Sequence, residues 1–245
     1  MTKWIYAFGD GAAEGNAEMN FVDPQPVLVP IQNTEATYPV NRLFFVGRNY
    51  EDHAKEMGSE TNKEFPFFFT KSLSAYVPSG STIPYPPGTK NFHHEMELVV
   101  AIGKPVFEVL TEAAKESIFG YACGLDMTRR DLQTEAKSKG LPWDIAKDVE
   151  KSAVLSAIGT VEAIGHPTSG LIELSVNGEI RQSGDLKELV NSPAELIAYL
   201  SNFYHLGPGD LIYTGTPSGV GPVLPGDQIE GHIQGVGTIS LGISD

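Results

Sequence analysis

Phe92-His93-His94-Glu95-Met96-Glu97-Leu98-Val99-Val100-Ala101-Ile102 is the stretch on which the rest of the chain turns. Leu98 to Ile102 is a bounded apolar run with two valines, which predicts a strand. Side chains alternate faces along a strand, so the spacing puts Glu95 and Glu97 on one face with His93, and His94 on the other. Two carboxylates so placed at the mouth of an apolar run repel each other unless a cation lies between them. Oxygen-only ligands suit Mg²⁺, with Mn²⁺ or Ca²⁺ as substitutes, rather than zinc or copper. A second cluster, Gly124-Leu125-Asp126-Met127-Thr128-Arg129-Arg130-Asp131, closes another apolar stretch and offers Asp126 as a third oxygen ligand. The alternative for the glutamate pair is a solvated strand end.

Upstream, Val46 to Gly58 reads as a strand end, a glycine turn and a short helix from Glu51 to Met57. His53 and Glu56 are three apart and share a helix face. A carboxylate beside an imidazole orients it as a general base, although a surface His–Glu pair would look the same. Thr128 to Lys139 predicts a helix ended by Gly140 and Pro142. Counting from Asp126, positions 126, 130 and 133 share a face. Asp126, Arg130 and Gln133 could then converge as ligand, cation and amide donor, or Arg130 could pair with Glu97 or Asp131. Phe67-Phe68-Phe69-Thr70-Lys71 predicts a buried strand with Lys71 at its exit, facing a site or snorkelling to water. Thr214 to Gly221 is a tight glycine loop without the Lys-Ser/Thr ending of a Walker motif. It reads as a pocket wall that carries Thr216. His93 reads as a wall residue or a hydrogen-bond partner of a ligand.

Composition narrows the class. The 245 residues carry a formal net charge of −14, which argues against nucleic acid or anionic membrane as partner. The single cysteine, Cys123, excludes an intramolecular disulfide framework and points to a cytoplasmic protein. Met1 to Gly15 has no long apolar core of a signal peptide, and no run approaches a membrane span. Frequent Gly and Pro with many short apolar runs predict an α+β fold dominated by strands. Phe21 to Pro30 reads as an extended edge segment and Ser79 to Gly88 as a loop. Leu171 to Val176 leads into an Asn177-Gly178 hairpin turn, Ser192 with Pro193 opens a helix, and Ile229 to Ile243 continues in strand. Residues 1–38 form a small β-rich extension and 39–245 the body.

In order along the chain stand G-R-N-Y-x-x-H-x-x-E-M, F-F-x-K, H-H-E-x-E-L, D-x-T-x-R-D-x-Q, K-x-x-G-x-P-W with a following Lys, and T-G-T-P-x-G-V-G. This collinear set resembles the fumarylacetoacetate hydrolase family from about Pro39 to Ile243, most closely its acylpyruvate hydrolases. The resemblance implies a mixed β-sandwich roll and a homodimer. It implies hydrolytic C–C cleavage of a 2,4-dioxo acid, with fumarylpyruvate of gentisate degradation as the expected substrate. Carried over, its metal ligands fall on Glu95, Glu97 and Asp126, its lid dyad on His53 and Glu56, and its polarising lysine on Lys147. Arg130, Gln133 and Lys71 match substrate-side positions. Arg48, Arg129 and Lys71 are the cations available to a distal substrate carboxylate. Two positions depart from the pattern, Ser72 where proline is common and Asp148 where a small residue is common. Oxaloacetate decarboxylation is the neighbouring alternative, and a non-catalytic metal or dicarboxylate binder the distant one.

Overall fold

The computed structural model describes residues 8–9, 12–13 and 26–245. Most of the expected N-terminal extension, including Phe21 to Gln25, lies outside the described residues. Val27–Pro30 pairs with Thr37–Val40 as an antiparallel hairpin. The boundary drawn at residue 38 falls inside that second strand.

Met96–Ile102 is buried along its whole length and lies in the middle of an eight-stranded mixed sheet. From one edge the order is Phe67–Lys71, Arg42–Gly47, Asp210–Tyr213, Met96–Ile102, Ile118–Asp126, Ala153–Leu155 and Tyr76–Pro78. Gly159–Thr160 pairs with the start of Ile118–Asp126. A strand covered on both faces reads as continuous apolar sequence, which is why Leu98 to Ile102 shows no polar alternation. Met96, Leu98, Val100 and Ile102 face one core. There they meet Ile172, Leu174, Ile229 and Leu241 of a second, five-stranded sheet. Val99 and Ala101 face the other core, with Val29, Tyr38, Phe45 and Tyr213. The architecture is the α+β, strand-dominated roll that the sequence predicts.

Several expectations change in detail. Phe92 to Ile102 is not one strand. Phe92–His94 belongs to a small sheet with Thr128–Arg129 and Gly221–Val223, while Met96 onward pairs with Ile118–Asp126. Glu95 is the residue at which the chain changes sheets. The predicted helix from Thr128 starts at Arg130, and Asp126 ends a strand, so Asp126 and Arg130 do not share a helix. Ser81–Pro84, expected as loop, forms an edge strand parallel to Gly237–Ser244. An edge tolerates the missing N–H of Pro84. Ile229 to Ile243 is a hairpin of Gln228–Ile233 and Gly237–Ser244, turned at Gly235 with φ 75°.

Other local signals act as their chemistry dictates. Asn177 and Gly178 both have positive φ, 53° and 80°, as a tight two-residue hairpin requires. Ser192 caps Pro193–Ser201 through a reciprocal capping box with Glu195.

Gly124 has a packing reason to be glycine. It stands opposite Glu97 in the ladder, two residues before Asp126, and a Cβ there would sit 2.4 Å from Val99 Cγ2 and 2.5 Å from Tyr213 Cε1. The Tyr213 ring is fixed by stacking on Phe45, with centroids 4.2 Å apart. Gly124→Ala is therefore expected to destabilise the fold by about 1–3 kcal/mol through overpacking. Urea unfolding of the variant checks this, and an unchanged midpoint would contradict it.

Candidate active site

The register that pairs Met96 with Leu125 and Glu97 with Gly124 sets Glu95 beside Asp126, and the Asp126 N–H donates to Glu95 O at 2.9 Å. Glu95, Glu97 and Asp126 are all buried, and each offers a carboxylate oxygen within 4.8 Å of the others. The sequence-level grouping of these carboxylates is therefore realised, by strand pairing and a sheet crossing.

Three cations surround them. Lys147 Nζ donates to Glu95 Oε2 at 2.8 Å, Asp126 Oδ2 at 2.6 Å and Thr128 Oγ1 at 2.7 Å. Arg130 donates to Glu95 Oε1 and to Gln133 Oε1, and its Nε reaches His93 Nδ1 at 3.3 Å. Arg130 thus pairs with Glu95, and neither Glu97 nor Asp131 is its partner. Asp131 instead accepts from Thr89 and the Lys90 N–H. Lys71 lies underneath, its Nζ 2.6 Å from Asp126 Oδ1 while its protons go to Met127 O, Ser152 O and Ser152 Oγ. The two ammonium groups rest over aromatic faces, Lys71 over Phe45 and Lys147 over Phe69.

The charges do not balance evenly. Burial works to raise Glu95, but Lys147 and Arg130 outweigh it and hold the carboxyl well below its ordinary range. Burial also opposes the charge of Lys147, but Asp126 and Glu95 outweigh it and hold the ammonium above the usual lysine value. Lys71 is pushed down by burial, with Asp126 offsetting only part. Glu97 is pushed well up, by burial and then by the charges of Asp126 and Glu95. Its one direct support is the Gly215 N–H, donated to Oε2 at 2.8 Å. Asp126 Oδ1 is buried with the Lys71 ammonium 2.6 Å away. An undercompensated glutamate in an all-oxygen set of three carboxylates fits a hard divalent cation.

His53 and Glu56 lie on the Glu51–Glu56 helix, and His53 Nδ1 is 3.3 Å from Glu56 Oε2. Glu56 also accepts from the Gly219 N–H at 3.2 Å. The hydrogen bond with His53 leads the influences that keep its carboxyl below the ordinary value. Gly219 must be glycine, because a Cβ would stand 2.1 Å from Arg181 O and φ is 94°. His53 is buried and faces the cavity that holds the carboxylates.

That cavity is partly open to solvent. Arg48, Gln133, Thr216 and Lys147 also line it, whereas Lys71 does not. Arg129 lies elsewhere, donating to Ile145 O at 3.0 Å. Lys137, to which sequence reasoning gave no role, lines the cavity beside Arg48. Gln182 was missed as well. It is fully buried, accepts from the Met96 N–H at 2.9 Å and donates to Thr216 Oγ1 at 2.8 Å and Pro217 O at 2.9 Å. Its Oε1 is also 3.1 Å from His94 Nδ1. Gln182 thereby ties the glycine loop to the point where the chain crosses between sheets. It stands in a strand of largely exposed residues, and nothing in that strand's pattern marks it.

The two departures at Ser72 and Asp148 meet each other. Asp148 Oδ1 accepts from the Ser72 N–H at 2.9 Å and from Ser72 Oγ at 2.8 Å. Ser72 has φ −68° and ψ 162°, a backbone that proline also adopts. Asp148 therefore takes up an N–H that a proline would lack. The contact joins the residue after Lys71 to the residue after Lys147.

Residues 42–243 match the family described as Fumarylacetoacetate (FAA) hydrolase C-terminal. A fumarylpyruvate hydrolase from Ralstonia sp is 52% identical over 187 residues, 76% of this chain and 97% of that protein. The human mitochondrial oxaloacetate tautomerase FAHD1 is 47% identical over 191 residues, 78% of this chain and 86% of that one. The crystal structure of fumarylpyruvate hydrolase from Pseudomonas aeruginosa in complex with Mn²⁺ and pyruvate superposes with a TM-score of 0.87 at 45% identity. It covers 89% of this chain and 96% of that one. The chain belongs to the fumarylacetoacetate hydrolase family.

The Ser72–Asp148 contact ties together the segments that carry Lys71 and Lys147, both of which reach Asp126. Asp148→Ala is expected to lower turnover about three- to tenfold, the scale of one lost hydrogen-bonded positioning contact. Asp148 is exposed, so stability should change little. Steady-state kinetics with a parallel urea melt checks this, and full turnover would show that the contact positions nothing.

Proposed function

We propose that this protein is a divalent-metal-dependent hydrolase that cleaves the C–C bond of a 2,4-dioxo acid, R–CO–CH₂–CO–COO⁻. The substrate is fumarylpyruvate and the products are fumarate and pyruvate, a cytoplasmic step of gentisate degradation. One observation carries the reading. The cavity pairs an acidic triad suited to a hard cation with a His–Glu dyad that takes no part in that triad. The first would hold the cation that lets the pyruvyl half accept the electron pair of the broken bond, and the second prepares water. The Ralstonia and Pseudomonas relatives support the choice of substrate.

Glu95, Glu97 and Asp126 would hold Mg²⁺ or Mn²⁺, which supplies Lewis-acid polarisation of the substrate's 1-carboxylate and 2-keto oxygen. Arg130, Gln133 and Thr216 orient the substrate. His53, held by Glu56, takes a proton from water, and the oxygen adds to the distal carbonyl carbon. The bond from that carbon to the methylene then breaks. Its electron pair leaves as the enolate of pyruvate, against which Lys147 sets its ammonium. The proton that His53 took from water passes to the methylene carbon and completes pyruvate. A second reading, keto–enol exchange of oxaloacetate, uses the same groups without hydrolysis and is favoured by the likeness to the human oxaloacetate tautomerase.

An ultraviolet assay separates these readings, because 2,4-dioxo acids absorb as enols and hydrolysis bleaches them. Fumarylpyruvate should be bleached with release of fumarate and pyruvate, chelator should stop this, and Mg²⁺ or Mn²⁺ should restore it. His53→Ala should lose about 10²–10⁴-fold in rate, yet bind Mn²⁺ and oxalate like wild type in calorimetry. Loss of metal binding with activity would place His53 in the metal site. Exchange of oxaloacetate without bleaching of fumarylpyruvate would favour the second reading.

The family resemblance also motivates a homodimer. Sedimentation at micromolar concentration should give twice the 26.4 kDa chain mass. A clean monomer would refute the dimer.

A further inference from the structure

We propose that Lys137, with Arg48, forms a second carboxylate subsite that selects acylpyruvates carrying a terminal carboxylate over those with a neutral acyl end. The inference rests on the acylpyruvate reading above and adds the residues that recognise the far end of the substrate.

The cations of the cavity fall into two groups. Lys147 and Arg130 are already paired with buried carboxylates. Arg48 and Lys137 form no ion pair among the described residues, although both line the same cavity. Lys137 Nζ reaches only neutral oxygens, Met57 O at 3.3 Å and Ser59 Oγ at 3.4 Å. Long bonds to neutral acceptors are readily exchanged for a carboxylate. Lys137 is half-buried. Burial and then the positive charges of Arg48 and Arg130 push its ammonium below the ordinary lysine value, so an anion arriving there relieves repulsion. Arg48 is held with φ 62°, a left-handed backbone uncommon outside glycine. Such a conformation persists where surrounding structure fixes it, and Arg48 is an exposed residue that lines the cavity.

Spacing gives the subsite its reach. Arg130, Gln133 and Lys137 stand at i, i+3 and i+7 on the Arg130–Lys139 helix and all line the cavity. Arg130 touches Glu95 at the metal end. Lys137 lies seven residues on, about 10 Å along the axis at 1.5 Å per residue. An extended seven-carbon dioxo-dicarboxylate separates its carboxylates by six C–C bonds, roughly 7–8 Å in zigzag. A substrate anchored at the triad would bring its far carboxylate near Lys137, while a short neutral acyl group would leave the two cations unused. In a chain of net charge −14, an uncompensated cation pair facing a cavity has a use in an anionic ligand.

The test compares kcat/KM for fumarylpyruvate and acetylpyruvate in wild type, Lys137→Gln, Lys137→Arg and Arg48→Asn, the last because asparagine tolerates the left-handed backbone. The ratio should favour fumarylpyruvate in wild type. It should fall about 10- to 100-fold in Lys137→Gln, the scale of a lost charged hydrogen bond, mostly through KM. Arg48→Asn should lower it too, and Lys137→Arg should keep most of it. Inhibition by oxalate, which has no far end, serves as the control for an intact metal end. A ratio unchanged in both Lys137→Gln and Arg48→Asn, with wild type turning over both substrates, would overturn the subsite and leave the hydrolase reading standing. Turnover of neither substrate by wild type would overturn both.

Discussion

Three buried carboxylates side by side are the constraint around which this molecule is built. Taking a charged group out of water costs several kcal/mol even after relaxation. The chain offsets that cost from separate elements: Lys71 from a strand exit, Lys147 from a short helix, Arg130 from the start of a longer one and the Gly215 N–H from a loop. None of these is close to Glu95 in sequence. Their convergence is a long-range requirement that the two sheets satisfy by where they place strand ends. The compensation stops short at Glu97, and that remaining imbalance makes the site receptive to a further positive charge.

Side-chain amides do the fastening around this centre. Asn49 uses its Nδ2 protons for Asn191 O and Thr214 O and its oxygen for the Asn191 N–H. It thereby locks the start of the His53 helix to the glycine loop. Gln182 joins the same loop to Met96 and His94. Buried amides suit this work because one residue supplies donors and acceptors together, and each leaves nothing unpaired when both ends are engaged. The Gly219 N–H on Glu56 completes the enclosure, so the dyad, the loop and the carboxylates form one connected network.

What could be read from the sequence divides along physical lines. The strand nature of Leu98 to Ile102, the His53–Glu56 pair, the Ser192 cap and the Asn177-Gly178 turn depend on neighbours in the chain. Periodicity and turn chemistry expose these directly. The grouping of Glu95, Glu97 and Asp126 was legible as well, but for a partly mistaken reason. Same-face alternation suggested it, whereas the observed cause is a crossing between sheets at Glu95 with Asp126 paired alongside. Lys71 was placed near the site, yet nothing local says that it lies beneath Asp126 and outside the cavity. Gln182 was overlooked because its significance comes from partners across the fold, and an isolated Gln in a strand carries no pattern. Lys137 opens the K-x-x-G-x-P-W motif, but the motif does not say that this residue lines the cavity. The helix start at Arg130 was misjudged by two residues, as the Thr128–Arg129 bridge to Phe92–His94 holds the chain extended longer than its propensity suggests.

Arg48 and Lys137 belong to a turn and to an exposed-sided helix, while the carboxylates and their counter-charges belong to sheet ends and buried contacts. The carboxylate end and the Arg48–Lys137 end of the cavity therefore sit on parts of the fold with very different tolerance to change. A substitution at a sheet crossing disturbs charge balance and packing together, but one at the rim alters only what the far end of a ligand meets. A scaffold divided in this way can keep one charged centre through long divergence while the far end of its cavity changes. Relatives of similar likeness can then bear the names of different reactions, as the Ralstonia hydrolase and the human tautomerase do.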